Sequence, residues 1–142
     1  MEIKKVDYTE NSERISQLLT DQQIELFGEG SENKEFFSIA AYQEEDYLGG
    51  LTAVLTGNRL HISLLAIKPT YRGQNYGTLL VEEAEKIATA KHCKHLTVNT
   101  QEYQGLTFYQ KLGFSVYGQI EDCPFEGTTK YFLRKLIAQS LS

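Results

Sequence analysis

Residues Lys68 to Leu80 read KPTYRGQNYGTLL, and this stretch decides the fold. Before it, the apolar run LHISLLAI from Leu60 to Ile67 reads as a largely buried strand. After it, an amphipathic pattern continues to about Lys91, so a strand passes through a short loop into a helix. Pro69 ends the strand because it has no N–H for a sheet ladder, and Gly73, Asn75 and Gly77 tolerate positive φ. Such a loop can aim consecutive backbone N–H groups at one point, where the positive end of the helix dipole adds to them. That suits a phosphate or pyrophosphate, and Arg72 supplies a fixed cation beside it. Two nucleotide motifs do not fit. A P-loop needs a Lys before the hydroxyl residue, which Gly77-Thr78 lacks, and Gly73-Gln74-Asn75-Tyr76-Gly77 is not G-x-G-x-x-G. Taken alone, the loop supports both an anion cradle and close packing of the helix on the strand.

Length and composition bound the rest. The chain has 142 residues, enough for one domain with a core and too few for two ordinary ones, so residues 1–142 are expected to form a single domain. An apolar fraction of 41% and a charged fraction of 23% are those of a soluble globular protein. No stretch approaches the roughly 18 apolar residues of a membrane span, and MEIKKVDYTE lacks a signal-peptide core, so a cytoplasmic protein with no membrane partner is expected. Cys93 and Cys123 have no CxxC spacing, and His92 and His95 beside Cys93 do not form a ligand pattern; thiols and no metal are expected. The net charge of −5 argues against nucleic-acid binding, which needs a basic face, and would suit a cationic small substrate.

Working outward, Glu2 to Val6 is a short strand candidate. Asn11 and Ser12 can cap a helix carrying Ile15, Leu18, Leu19 and Leu26 that runs to about Phe27, followed by a polar loop from Gly28 to Glu35. FFSIAAY (36–42) and YLGGLTAVLT (47–56) read as strands joined by the turn QEED, with Gly49-Gly50 marking a bulge or a close backbone approach. Gly57-Asn58 is a two-residue hairpin turn that makes residues 59–67 an antiparallel partner. In the helix after the loop, Leu80, Val81, Ala84, Ile87 and Ala88 share a side, and Glu82 and Lys86 are an i,i+4 pair. HLTVNT (95–100) alternates as a strand and, after a helical crossover, runs parallel to 60–67. A helix over about 106–112 ends at Gly113, and strands over 114–120 and 130–137 flank the loop EDCPFEGTT. Exposed edge strands near the C-terminus suit a homodimer.

The order of these elements and three motifs resemble the GNAT superfamily of N-acetyltransferases over nearly the whole chain. The family's L-x-V-x-P-x-x-R-G-x-G-x-G appears as Leu65-Ala66-Ile67-Lys68-Pro69-Thr70-Tyr71-Arg72-Gly73-Gln74-Asn75-Tyr76-Gly77, departing at Asn75, the non-glycine residue best suited to the left-handed region. Phe108-Tyr109-Gln110-Lys111-Leu112-Gly113-Phe114 looks like the family's F-Y-x-K-x-G-F. The tail, from Tyr117-Gly118-Gln119-Ile120 through Asp122 and Pro124 to Tyr131-Phe132-Leu133, looks like a subgroup of small bacterial acetyltransferase-like proteins.

The resemblance implies an α/β (α+β) fold with a mixed, mostly antiparallel central sheet of about six or seven strands flanked by helices. It implies acetyl-CoA as cosubstrate, held through Leu65, Ala66, Ile67, Arg72, Gly73, Gln74, Asn75, Tyr76, Gly77 and Thr78. Where the family often has N-x-x-A, this chain has Glu102-Tyr103-Gln104-Gly105, and Gln104 stands in for the Asn that contacts the pantetheine arm. Tyr109 is implied as the acid that protonates the leaving thiolate; a phenol with a reference pKa of about 10 is protonated at neutral pH and can donate. His61 is the candidate base, since strict alternation puts His61, Ser63, Leu65 and Ile67 on one face, with water relayed by backbone carbonyls as the rival. The acceptor is an amine of a small molecule or peptide, with Glu25, Glu29 and Asp122 as groups able to hold a cationic one. A non-catalytic acetyl-CoA-binding or sensing domain is the alternative, permitted by Asn75 and Glu102.

Overall fold

The computed structural model describes residues 1–28 and 34–138. Two compact units divide the chain, Met1–Asn33 and Lys34–Ser142.

In the first unit the regular element is α1, Tyr8–Phe27. It begins at Asp7, whose carboxylate accepts from the Glu10 N–H at 2.9 Å, and not at Asn11-Ser12. A carboxylate satisfies a first-turn amide and complements the dipole. Ser12, one turn inside, donates back to the Tyr8 carbonyl at 2.7 Å. Gly28, with φ 77°, ends the helix where expected. Residues 2–6 do not form the expected strand. A strand exists only by pairing, and this unit holds no second strand among its described residues.

The second unit carries β1 (Glu35–Gln43), β2 (Asp46–Thr56), β3 (Arg59–Ile67), a 3₁₀ turn at Pro69–Tyr71, α2 (Tyr76–Ala90), β4 (His95–Gln101), α3 (Glu102–Lys111), β5 (Ser115–Glu121) and β6 (Thr129–Leu136). The strands make one sheet in the order β1-β2-β3-β4-β6-β5, antiparallel except for the β3–β4 pair. This is the expected mixed, mostly antiparallel α/β fold, with six strands. The hairpin at Gly57-Asn58 pairs Thr56 with Arg59. Gly49 is required by a close approach: a Cβ there would stand 2.3 Å from the Ala66 carbonyl oxygen.

α2 and α3 pack on one face of the sheet. Leu80, Val81, Ala84 and Ala88 of α2 meet Leu60, Ile62, Leu96, Val98 and Leu133 from the strands, with Tyr109 and Phe114 beside them. Each such leucine or isoleucine, 0–6% exposed, contributes about 1.5–3 kcal/mol by leaving water. Lys86 reaches Glu83 and not Glu82, and Lys135 of β6 ties the sheet to Glu85 of α2. α3 starts at Glu102, four residues before the expected 106, and ends at Gly113 with φ 96°. Among the described residues no helix is long and apolar enough to cross a membrane.

Candidate active site

The site begins with one surplus residue in β3. Ala53 pairs with Ile62 and Thr52 with Leu64, which leaves Ser63 bulged out of the ladder. A bulge bends its strand and ends regular pairing. On the other edge of β3, the parallel ladder with β4 runs from Arg59–His95 to Ile62–Val98 and stops there. Beyond that point β3 continues against β2 as far as Ile67, and β4 continues against β6 as far as Gln101. The two strands separate, and a cavity of about 790 Å³ lies between them, within the roughly 300–1,000 Å³ range of small-ligand sites.

The bulge also corrects the alternation expected from sequence. Leu65 and Ile67 pack with Leu60 and Ile62 on the helix-bearing face, because the extra residue shifts the period by one. His61 is left on the opposite face. Its Nδ1 lies 2.7 Å from the Thr97 hydroxyl, and it does not line the cavity. Burial lowers its pKa, with the nearby charges of Arg59 and Lys130 adding to the effect, so the ring is neutral at physiological pH.

One wall of the cavity is the loop into α2. Leu65, Ala66, Ile67, Arg72, Gly73, Asn75, Tyr76, Gly77 and Thr78 all line it, and Gln74 does not. Asn75 takes the left-handed conformation (φ 67°, ψ 12°), as does Gly73 (φ 79°). The first bond of the helix runs from the Leu79 N–H to the Asn75 carbonyl at 3.0 Å, so the amides of Tyr76, Gly77 and Thr78 precede the helical ladder. No side chain caps this end, and no acid stands in its first turn. Arg72 is anchored to the end of β3, its Nε donating to the Ile67 carbonyl at 3.2 Å. The wall is thus a set of unspent donors, a helix dipole and a guanidinium, which fits an anionic phosphate group.

The facing wall is α3. Tyr103, Gln104, Gly105, Phe108 and Tyr109 line it, and its N-terminus at Gln101 is also without a side-chain cap. The end of α3 fixes Tyr109: the Phe114 N–H bonds the Tyr109 carbonyl at 3.1 Å and the Gly113 N–H bonds Gln110 at 3.1 Å. This is a Schellman motif, and its usual apolar contact is here the Tyr109–Phe114 ring pair, 5.4 Å between centroids. Phe108 packs on Tyr109 from the other side at 5.0 Å. Burial pushes the Tyr109 phenol up to about 12, so it is a proton donor at any neutral pH.

Sequence reasoning missed Tyr71, Tyr103, Ser63 and Asn99, which also line the cavity. Tyr71, in the 3₁₀ turn, and Tyr103, in the first turn of α3, stand among polar residues in the sequence, and that was the available signal. Glu25 lies in α1, and Glu29 lies outside the described residues. The Asp122 carboxylate accepts from the Gly127 N–H at 2.9 Å within its own loop.

Residues 6–126 match the family described as Acetyltransferase (GNAT) domain. A peptidyl-lysine N-acetyltransferase of Salmonella typhimurium is 36% identical over 83 residues, 58% of this chain and 52% of that protein, so the match spans about half of its length. A blasticidin-S acetyltransferase of Streptomyces morookaense is 30% identical over 101 residues, 70% of this chain and 74% of that protein. Among solved structures, an acetyltransferase from Bacillus cereus superposes with a TM-score of 0.83 at 27% identity, covering 96% of this chain and 97% of that one. An aminoglycoside 6'-N-acetyltransferase complexed with coenzyme A superposes at 0.68 over the whole of both chains with 18% identity, a likeness of fold.

Proposed function

The chain belongs to the GNAT acetyltransferase family, and we propose that it transfers an acetyl group from acetyl-CoA to a primary amine of a small molecule or peptide, directly, with both substrates bound. One observation carries this reading. The gap beyond Ile62–Val98 brings the open N-terminus of α2 and the Tyr109 phenol onto one cavity.

Acetyl-CoA, when bound, supplies an activated thioester and a thiol leaving group. The amides of Tyr76 to Thr78 and the Arg72 guanidinium bind its pyrophosphate, and the unpaired edge of β3 from Ser63 to Ile67 takes the pantetheine arm as an added strand would. Gln104, on the facing wall, is the polar side chain toward that arm. Tyr109 is neutral at physiological pH and donates its phenolic proton to the departing sulfur as charge develops there. The acceptor must lose a proton, since a primary ammonium has a reference pKa of about 10.4. Because His61 rests on Thr97 and away from the cavity lining, that proton passes to water at the strand edges. Most of the acceleration then comes from holding the two reactants together. Two cysteines with no CxxC spacing suit a cytoplasmic setting.

Calorimetry of acetyl-CoA binding, followed by thiol release against a panel of amines, tests the reading. Native protein should bind at micromolar strength, Arg72→Ala about tenfold more weakly. Tyr109→Phe should bind as native does while turnover falls about a hundredfold. Undiminished turnover would remove Tyr109 as the acid, and binding without thiol release for any amine would make this a sensing domain.

A further inference from the structure

The cavity is lined from both faces of the sheet. Leu65, Ile67, Val98 and Tyr109 belong to the helix-bearing face, whereas Leu64 and Asn99, both exposed, open onto the other. Residues paired across an antiparallel ladder share a face. On this second face Asn99 is therefore the neighbour of Phe132, Gln101 of Lys130 and Thr97 of Arg134. The Lys130 Nζ sits 5.4 Å from the centre of the Phe132 ring, which brings the charge back toward the Asn99 mouth.

This face is cationic in an acidic chain. Arg59 stands two residues before His61 on β3, adding a third charge to Lys130 and Arg134, while the chain as a whole carries −5. Among the described residues no carboxylate pairs with Lys130, Arg134 or Arg59. None of the strand positions on this face of β3, β4 and β6 is Asp or Glu, and the loop acid Asp122 is engaged by the Gly127 amide. The positive field already acts within the face: Arg59 and Lys130 both disfavour the protonated form of His61.

We infer that the acceptor is a small aminocarboxylate, entering through the second face with its carboxylate on Lys130 and its amine at the gap beside Asn99. The inference rests on the acetyltransferase reading and names the acceptor class. It reverses the expectation that an acidic chain suits a cationic acceptor, because the net charge and the charge at the mouth have opposite signs. The same cations serve the chemistry twice. They hold a carboxylate, and they favour the uncharged amine that must attack the thioester. No bond changes beyond the transfer itself: the C–S bond breaks, the C–N bond forms, the amine proton goes to water and the sulfur takes its proton from Tyr109.

The test uses aminocarboxylates of graded length, from glycine to 6-aminohexanoate, each against its carboxamide. Two readouts apply: kcat/KM for acetylation, and calorimetric binding to the full-length protein loaded with coenzyme A, which needs no turnover. At least one acid should exceed its amide about tenfold in either readout. That ratio should collapse to about one in Lys130→Gln, persist in Lys130→Arg, and survive Arg72→Ala, which weakens the cosubstrate instead. Amides equal to or better than every acid, or an unchanged ratio in Lys130→Gln, would overturn the inference and leave the enzyme reading intact. Failure of native protein to bind acetyl-CoA would overturn both.

Discussion

Two helix N-termini in this chain are built in opposite ways. At α1, Asp7 accepts from the Glu10 amide and Glu10 adds a second negative charge to the first turn. At α2, Asn75 adopts a left-handed turn, contributes no side-chain cap, and is followed by Tyr-Gly-Thr with no acid. A cap contributes about 1 kcal/mol, and Asn is among the best capping residues, so its failure to cap is not a matter of residue type. The left-handed Asn75 sets the chain so that Tyr76, Gly77 and Thr78, whose amides precede the helical ladder, line the cavity. The difference teaches where each end finds its partners: α1 satisfies its first turn from its own side chains, whereas α2 leaves its first amides to the cavity, as the proposed pyrophosphate site needs.

The sharpest way to break this comparison is to close α2 as α1 is closed. Thr78→Glu puts a carboxylate in the first turn, and acetyl-CoA affinity measured by calorimetry should fall about a hundredfold. Thermal stability should hold or rise, since an acid there interacts with the dipole by about 0.3–1 kcal/mol. Unchanged affinity would erase the distinction between the two ends. Alkali sharpens the comparison from the cavity side. Tyr109 keeps its proton to about 12 when folded, and an unfolded tyrosine releases it near 10. Above pH 10 the unfolded chain therefore holds fewer protons, and stability falls as pH rises toward 12 by about 2–3 kcal/mol from this group. Tyr109→Phe should lose correspondingly less across that window in denaturant titrations.

Two smaller effects complete the set. Asp7→Ala should destabilise by about 1 kcal/mol and leave acetyl-CoA affinity as it was, the mirror image of Thr78→Glu. Asn75→Gly should change stability by no more than about 0.5 kcal/mol and affinity not at all, because the loop already has the conformation glycine would allow. A large binding effect at Asn75 would mean that its side chain, and not its backbone, meets the ligand.

Much of this was legible in the residues. Apolar runs and turn residues located all six strands, because hydrophobic period and Gly or Asn chemistry are local properties. Asn75 was legible for the same reason. The bulge was not. Nothing in LHISLLAI distinguishes a regular strand from one with Ser63 squeezed out, since the choice is made by what β2 and β4 offer on either side. That single residue puts His61 on the face opposite Leu65 and Ile67, where strict alternation would have kept the three together. The early start of α3 was hidden too: Glu102 to Gly105 has no apolar period, and a glycine interrupts it where Tyr109 and Thr100 crowd the backbone, a Cβ there coming 3.1 Å from the Tyr109 ring. Strand count was a local matter, but the length over which β3 and β4 stay paired was not.

That short parallel ladder has a mechanical meaning. Four residue pairs are the whole seam between a half-sheet of β1, β2 and β3 and another of β4, β6 and β5, each fully laddered within itself. The ladder is therefore a splice and not the bond that joins the halves: α2 lies across it, and Leu80, Val81, Ala84 and Ala88 share one core with Leu60 and Ile62 on one side and Leu96, Val98 and Leu133 on the other. The gap beyond Ile62 and Val98 is an opening in the hydrogen-bonded layer alone, held at its width by the apolar layer beneath it.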